Sequence, residues 1–372
     1  MQIPAARIHF PEEDRKAILK QIDGILESGQ LTLGKYSKEF EQRFAEYVGT
    51  KYAVAVNSGT SALEIILRAS DIEGSSVIVP TNTFFATPAS VIHAGGKVLF
   101  ADITDNLCSD PKSLRQNIEK DTKAVIIVHI GGLIPPQIEE TRQICQEYGL
   151  ILIEDAAHAQ GSTLNGKKAG TFGIAAAFSF YPTKVITSGE GGMITTDDEN
   201  IYQRALVFRD QGKAGFLGNV HTEMGYNWRM SEIHAAIGLS QFARLEEFIA
   251  DRRKVARIYD EELAKVNSLT PLKIPPEAKS NYYKYVAVLK DGIDRTALKK
   301  ELKEKYTVSL SGEVYELPCH LQQIFKGSYG FKGGEFPIAE GLCQRHICLP
   351  IFARMTEEEA RYVVNSLKEV LA

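Results

Sequence analysis

Apolar and polar positions divide the chain into two kinds of segment. Continuous apolar runs cover residues 53–56, 76–80, 97–103, 124–130, 151–155 and 176–180. Runs this short, with little polar alternation, predict strands buried on both faces. Elsewhere, apolar residues return every three or four positions over 11–26, 36–48, from Thr60 or Ser61 onward, and over 138–148, which predicts helices. Glu12, Glu13 and Asp14 favour the first of these starts, and Gly49 is a plausible C-cap for the second. Strand alternating with helix argues an α/β fold, a mostly parallel sheet flanked by helices. Beyond Ser231-Glu232, the spacing of Ile233, Ile237, Phe242, Leu245, Ile249, Ile258 and Leu263 predicts one long helix leading out of the first domain. A linker at 271–276, a strand at 283–289 and helices at 294–306 and from Thr356 then predict a smaller C-terminal α+β domain. The division is 1–245 for the large α/β domain and 246–372 for the small one.

Composition narrows the picture little. The 372 residues are 44% hydrophobic and 24% charged, ordinary for a globular enzyme. A net charge of −4 gives no electrostatic reason to expect nucleic acid or an anionic membrane. No apolar run is long enough to span a bilayer, and no charged-then-apolar leader is visible, so the cytoplasm is the expected compartment. Five cysteines without a C-x-x-C pair read as reduced thiols, and eight dispersed histidines show no ligand spacing, so no metal is expected.

The chemistry concentrates between Ile151 and Thr196. Asp155 ends a buried apolar run, and functional groups in open α/β sheets gather at that end of a strand. Lys184 lies in the loop after the next strand, ahead of Gly189, Gly191 and Gly192. A lysine attacks an aldehyde only when unprotonated, and an aspartate can keep a heterocyclic nitrogen protonated as an electron sink. The pair suggests pyridoxal phosphate. Taken alone, each residue is better explained blandly, as a solvated lysine and a helix cap. The cofactor needs a phosphate site and a stacking group as well. Ser58-Gly59-Thr60 between a strand and a helix is a ready anion site, although two such hydroxyls are as often plain N-caps. Phe84 or Phe85, at a strand end, is either core or a lid on a flat ligand.

Two motifs mislead. Residues 161–168 nearly match a nucleotide P-loop, but Lys168 stands where the magnesium-binding hydroxyl belongs and no helical run follows, so the segment reads as a surface turn. A G-x-G-x-x-G fingerprint after an early strand is missing, which disfavours a nicotinamide dehydrogenase. Asn227 and Arg229 read as an exposed turn, able to touch a ligand or a second subunit or simply solvated.

Taken together, S-G-T-S-A-L, T-F-F-A-T, E-D-A-A-H-A-Q-G, S-F-Y-P-T-K, G-E-G-G-M and G-Y-N-W-R-M-S-E-I resemble the DegT-type sugar aminotransferases, with L-P-I-F-A-R-M-T-E-E-E extending the match toward the C-terminus. The resemblance implies the pyridoxal phosphate-dependent fold type I of aspartate aminotransferase. It implies that Lys184 holds the cofactor and shuttles the proton, Asp155 pairs with the pyridine nitrogen, and Phe84 stacks on the ring with His158 nearby. Gly59, Thr60 and Ser179 would bind phosphate, and Asn227 would reach it from the neighbouring subunit of a homodimer. Arg229, Tyr181, Tyr315 and His320 are looser substrate candidates. The chain departs from many relatives at Tyr181, where they carry His, and in V-H-I-G-G at 128–132, where they read V-H-L-Y-G. A minority branch replaces the lysine with histidine and removes a hydroxyl, and the presence of Lys184 favours transamination instead. The expected reaction moves an amino group from L-glutamate or glutamine to a keto sugar, most simply a nucleotide-linked one. The alternatives are a keto-cyclitol acceptor, another pyridoxal phosphate reaction such as dehydration, and a non-catalytic regulator that retains the cofactor.

Overall fold

The computed structural model describes residues 1–215 and 219–372. Its centre is a seven-stranded sheet. The strands are β1 (Tyr52–Val56), β2 (Ser76–Pro80), β3 (Lys97–Ala101), β4 (Thr122–Val128) and β5 (Ile151–Asp155), then, after a small hairpin of β6 (Thr163–Leu164) and β7 (Lys167–Lys168), β8 (Ala175–Ser179) and β9 (Gly192–Thr196). The order across the sheet is β1-β9-β8-β5-β4-β2-β3, and β9 alone runs against its neighbours. The apolar runs are buried along nearly their whole length, as a sheet covered by helices on both faces requires. Because six strands point one way, the carboxyl ends of β1, β2, β4, β5 and β8 open on one edge, where an open α/β sheet places its ligand.

The near-P-loop segment forms the hairpin of β6 and β7. Asn165 and Gly166 turn it with φ of 51° and 78°, as a two-residue Asn-Gly turn demands.

A second sheet, β10 (Leu269–Pro271), β12 (Tyr285–Leu289) and β13 (His346–Leu349), is antiparallel and carries its own core around Tyr259, Leu302, Phe352 and Val364. The intervening β11 (Ala278–Lys279) pairs instead with β6, forming a third sheet of order β11-β6-β7. Two expectations change here. The long helix is broken: Glu232–Phe242 ends at Ala243, and Leu245–Leu263 begins after Arg244. The first piece packs on the helices Glu12–Ser28 and Lys35–Val48, the second on the C-terminal helix Glu357–Leu371, and one straight rod cannot serve both cores. The expected linker also starts inside a strand, since Thr270 and Pro271 pair with Val288 and Ala287.

The two cores do not follow a single cut in the chain. Ile3 belongs to the second core and bridges to Val308, while Phe325, Phe336, Ala339 and Leu342 belong to the first.

Candidate active site

A cavity of about 370 Å³ opens at the carboxyl edge of the sheet. Five strand ends contribute to it: Ser58, Gly59 and Thr60 after β1, Thr83 and Phe84 after β2, Val128 from β4, Asp155 and His158 from β5, and Ser179, Tyr181 and Lys184 from β8 onward. Tyr283 and Tyr315 close it from the second half of the chain.

Lys184 sits between charge and aromatic surface. Its Nζ lies 4.8 Å from the centroid of the Tyr283 ring. Burial lowers its pKa to about 7; Asp155 pulls the other way and Lys284 adds to the lowering. A lysine there is an available nucleophile at neutral pH.

Asp155 is buried. Its Oδ2 accepts from Thr87 Oγ1 at 2.7 Å and its Oδ1 from the Ala157 N–H at 3.2 Å. Burial raises its pKa, and these two donors and the Lys184 charge oppose the rise. The preceding Glu154 points to the other face of the strand, where it accepts from His129 Nε2 and the backbone N–H groups of Gly170, Phe172 and Gly173. The adjacent acids therefore split: one is structural, the other faces the cavity.

His158 is neutral in this setting, because burial and the nearby cations hold its pKa well below the usual histidine range. Its Nδ1 accepts from the Gly131 N–H at 3.3 Å, which leaves the proton on Nε2, 3.2 Å from the Tyr315 hydroxyl. Its ring packs on Tyr283 with centroids 4.4 Å apart. Asn281, fully buried, donates to the His158 and Gln160 carbonyls and accepts from the Tyr283 N–H, so one side chain fixes both rings. Gly132, a glycine in both V-H-I-G-G and V-H-L-Y-G, has a matching requirement: a Cβ there, at φ 96°, would lie 2.0 Å from Asn281 Oδ1.

The anion cup follows from strand register. Gly192 pairs with Val56 on one side and Ser179 on the other, which brings the start of the helix Gly59–Ala69 against Ser179. A Cβ on Gly192 would stand 2.3 Å from the Ser58 carbonyl oxygen, and one on Gly59 would stand 2.9 Å from Ser179 Cβ, so side-chain-free positions are required. Ser58 caps the helix by accepting from Ser61 N–H, leaving the first N–H groups and the Thr60 and Ser179 hydroxyls toward the cavity. A dianion at one end, a buried carboxylate at the other, a lysine at the side and an aromatic wall between are what pyridoxal phosphate requires.

Not every sequence candidate reaches this cavity. Phe84 is at its rim, 57% exposed, and Tyr181 at the mouth is 49% exposed. Asn227 lies on the surface in a bridge to Asp210, beside the end of β1. Arg229 is ion-paired with Asp210 rather than free for a substrate. His320 is buried away from the cavity. It bonds Thr81 Oγ1 at 2.5 Å and Glu340 at 3.1 Å and packs on Phe336, so it holds the segment after Tyr315 instead of facing a ligand. Glu335 and Glu340 beside it direct their oxygens at the N–H groups of residues 332–336. Thr87, Tyr283 and Asn281 are the site residues that sequence reading misses. Tyr283 carries only a strand signal, and nothing local marks Asn281 or Thr87.

The chain matches the DegT/DnrJ/EryC1/StrS aminotransferase family over residues 12–368. It belongs to that family. GDP-perosamine synthase of Escherichia coli O157:H7 is 36% identical over 90% of this chain and 90% of its own. The aminotransferase PseC of Helicobacter pylori, involved in the biosynthesis of pseudoaminic acid, superposes with a TM-score of 0.93 at 28% identity, covering 100% of this chain and 99% of its own. A putative sugar aminotransferase of Streptococcus pneumoniae, Spr1654, in its pyridoxal phosphate form gives 0.92 at 27% identity, with 100% and 99% coverage. The fold type and the enzyme class, a sugar aminotransferase dependent on pyridoxal 5′-phosphate, follow from the family and these neighbours. The expected membership and cofactor are therefore correct. Among the described residues no helix is long and apolar enough to cross a membrane.

Proposed function

We propose that this aminotransferase moves an amino group from L-glutamate, or glutamine, to a nucleotide-linked keto sugar, as a homodimer whose sites are shared between subunits. The observation that carries the mechanism is that Lys184, Asp155 and the N-terminus of the helix Gly59–Ala69 line one cavity. The nucleotide link and the sugar class are supported by likeness to a GDP-perosamine synthase. The exposed apolar side chains Phe85, Tyr181, Val220, Met224 and Tyr226 support an assembly larger than the monomer.

The cofactor supplies an electron sink for the substrate carbon and a carrier for the amino group. This chain's residues do the rest. Gly59, Thr60 and Ser179 bind the phosphate at the helix N-terminus. Asp155 holds a proton at the ring nitrogen, and Thr87 and the Ala157 N–H hold Asp155 in place. Lys184 would hold the cofactor covalently and, as a free amine, would take and return the proton at the substrate carbon. Neutral His158 and Phe84 exclude water from the ring faces, and Tyr283 supports Lys184. The partner subunit's Asn227 would complete the phosphate site.

The deciding experiment is the visible spectrum of the cofactor-loaded protein before and after L-glutamate. Bleaching of the long-wavelength band, restored by a keto sugar nucleotide, is expected. A band indifferent to glutamate and glutamine would overturn the donor assignment.

A further inference from the structure

Behind Lys184 lies a second, smaller cavity of about 120 Å³, which shares Thr183, Lys184 and Tyr283 with the first as a common wall. Its lining contains four basic side chains of lysine or arginine, Arg7, Lys184, Arg252 and Lys284, and no carboxylate. Arg7 is spoken for by Glu359. The other three have no acid within salt-bridge distance among the described residues, and Glu313, the acid that acts on Lys284, is paired with Lys299 at 2.6 Å.

Arg252 is 5% exposed; one of its terminal nitrogens donates to the Tyr282 and Ile351 carbonyls, while its buried Nε has no partner at all. Lys284 Nζ lies 5.2 Å from the Tyr283 ring centroid, on the same ring that Lys184 approaches. Uncompensated cations are costly to keep buried unless an anion joins them. Burial lowers Lys284 and brings Arg252 down to about 10, the same cost expressed as proton affinity.

We propose that this cavity is a carboxylate subsite, in which Lys284 and Arg252 take the side-chain carboxylate of a dicarboxylic amino donor whose amino end lies at Lys184. The inference rests on the aminotransferase reading and deepens it by assigning residues to the donor's side-chain carboxylate. The cavity is too small for a sugar nucleotide, and a planar carboxylate suits an arginine edge with an ammonium beside it.

The test is titration calorimetry of glutarate, a dicarboxylate with no amino or keto group, into the cofactor-loaded protein. Loading is verified by borohydride reduction and mass spectrometry of the Lys184 peptide. Glutarate should bind the wild type, bind Lys284→Met at least about tenfold more weakly, and bind Lys284→Arg nearly as well as wild type. Lys284→Met should likewise raise the KM for L-glutamate and leave that for L-alanine unchanged. Equal glutarate affinity in wild type and Lys284→Met, with loading intact, overturns the subsite alone. Displacement of glutarate by equimolar inorganic phosphate overturns the carboxylate assignment. Failure to load on Lys184 removes the aminotransferase mechanism, and this proposal with it.

Discussion

Lys184 is held between two opposing requirements. It must be uncharged to attack, and its pKa of about 7 lies far below the 10.5 of a free lysine. The folded, cofactor-free protein therefore binds fewer protons than the unfolded chain between those values, so the group destabilises the fold fully below 7 and not at all above 10.5. Lys184→Met should be more stable than wild type in acid, with the gap closing as pH rises across that window, as denaturant titrations at several pH values would show. The rate of cofactor loading by the wild type should rise through a midpoint near 7, read by stopped-flow absorbance. A midpoint near 10 would mean that Lys184 is solvated. Asp155→Asn keeps an acceptor for Thr87 but cannot hold the ring-nitrogen proton, so kcat should fall on the order of a hundredfold or more with the circular dichroism unchanged. That Lys184 and Asp155 line one cavity is legible in the sequence from the motifs taken together, since singly each reads as a solvated lysine or a helix cap. Thr87 is not, because a threonine inside a helix gives no sign of whose oxygen it serves.

At the scale of elements, one glycine sets the cup and one glutamate anchors a neighbouring helix. Gly192→Ala drives a methyl group into the Ser58 carbonyl, so the helix start must shift. Cofactor dissociation should then be at least about tenfold easier, by loss of well-aimed phosphate donors, measurable by equilibrium dialysis. Glu232 opens one helix in the sequence but caps another: its carboxylate accepts from the N–H groups of Gly34, Tyr36 and Ser37 at the start of the helix Lys35–Val48. Glu232→Ala orphans these buried donors and should cost about 2–4 kcal/mol in urea denaturation. Elements with strong periodicity and local stop signals, such as Ile138–Tyr148 ending at Gly149, are readable to the residue. The break at Ala243 and Arg244 is not, because it arises from two separate cores competing for one helix. The strand Leu269–Pro271 hides behind its proline, which tolerates an edge position of a small sheet.

For the whole molecule the open matter is whether one chain makes one site. The cavity built by a single chain contains a cup, a lysine and an aspartate, yet Asn227 sits outside it on the surface, its segment hydrogen-bonded to Asn57 beside the cup. If Asn227 serves its own cup, its side chain must turn inward past that strand bridge. If it serves the partner's, the exposed placement needs no change, and two chains close two sites by symmetry. Mixing decides between these. Lys184→Ala chains and Asn227→Arg chains should each be nearly inactive alone. In a mixed dimer with shared sites, one site carries both lesions and the other carries neither. Random reassociation makes half the dimers mixed, each with one intact site of two, so activity should recover to about one quarter of wild type. Sites confined to single chains carry one lesion each in every dimer and recover nothing. Giving the two variants different affinity tags and co-purifying them from the same mixture reports whether subunits exchanged, so inactivity after demonstrated exchange would refute the shared site.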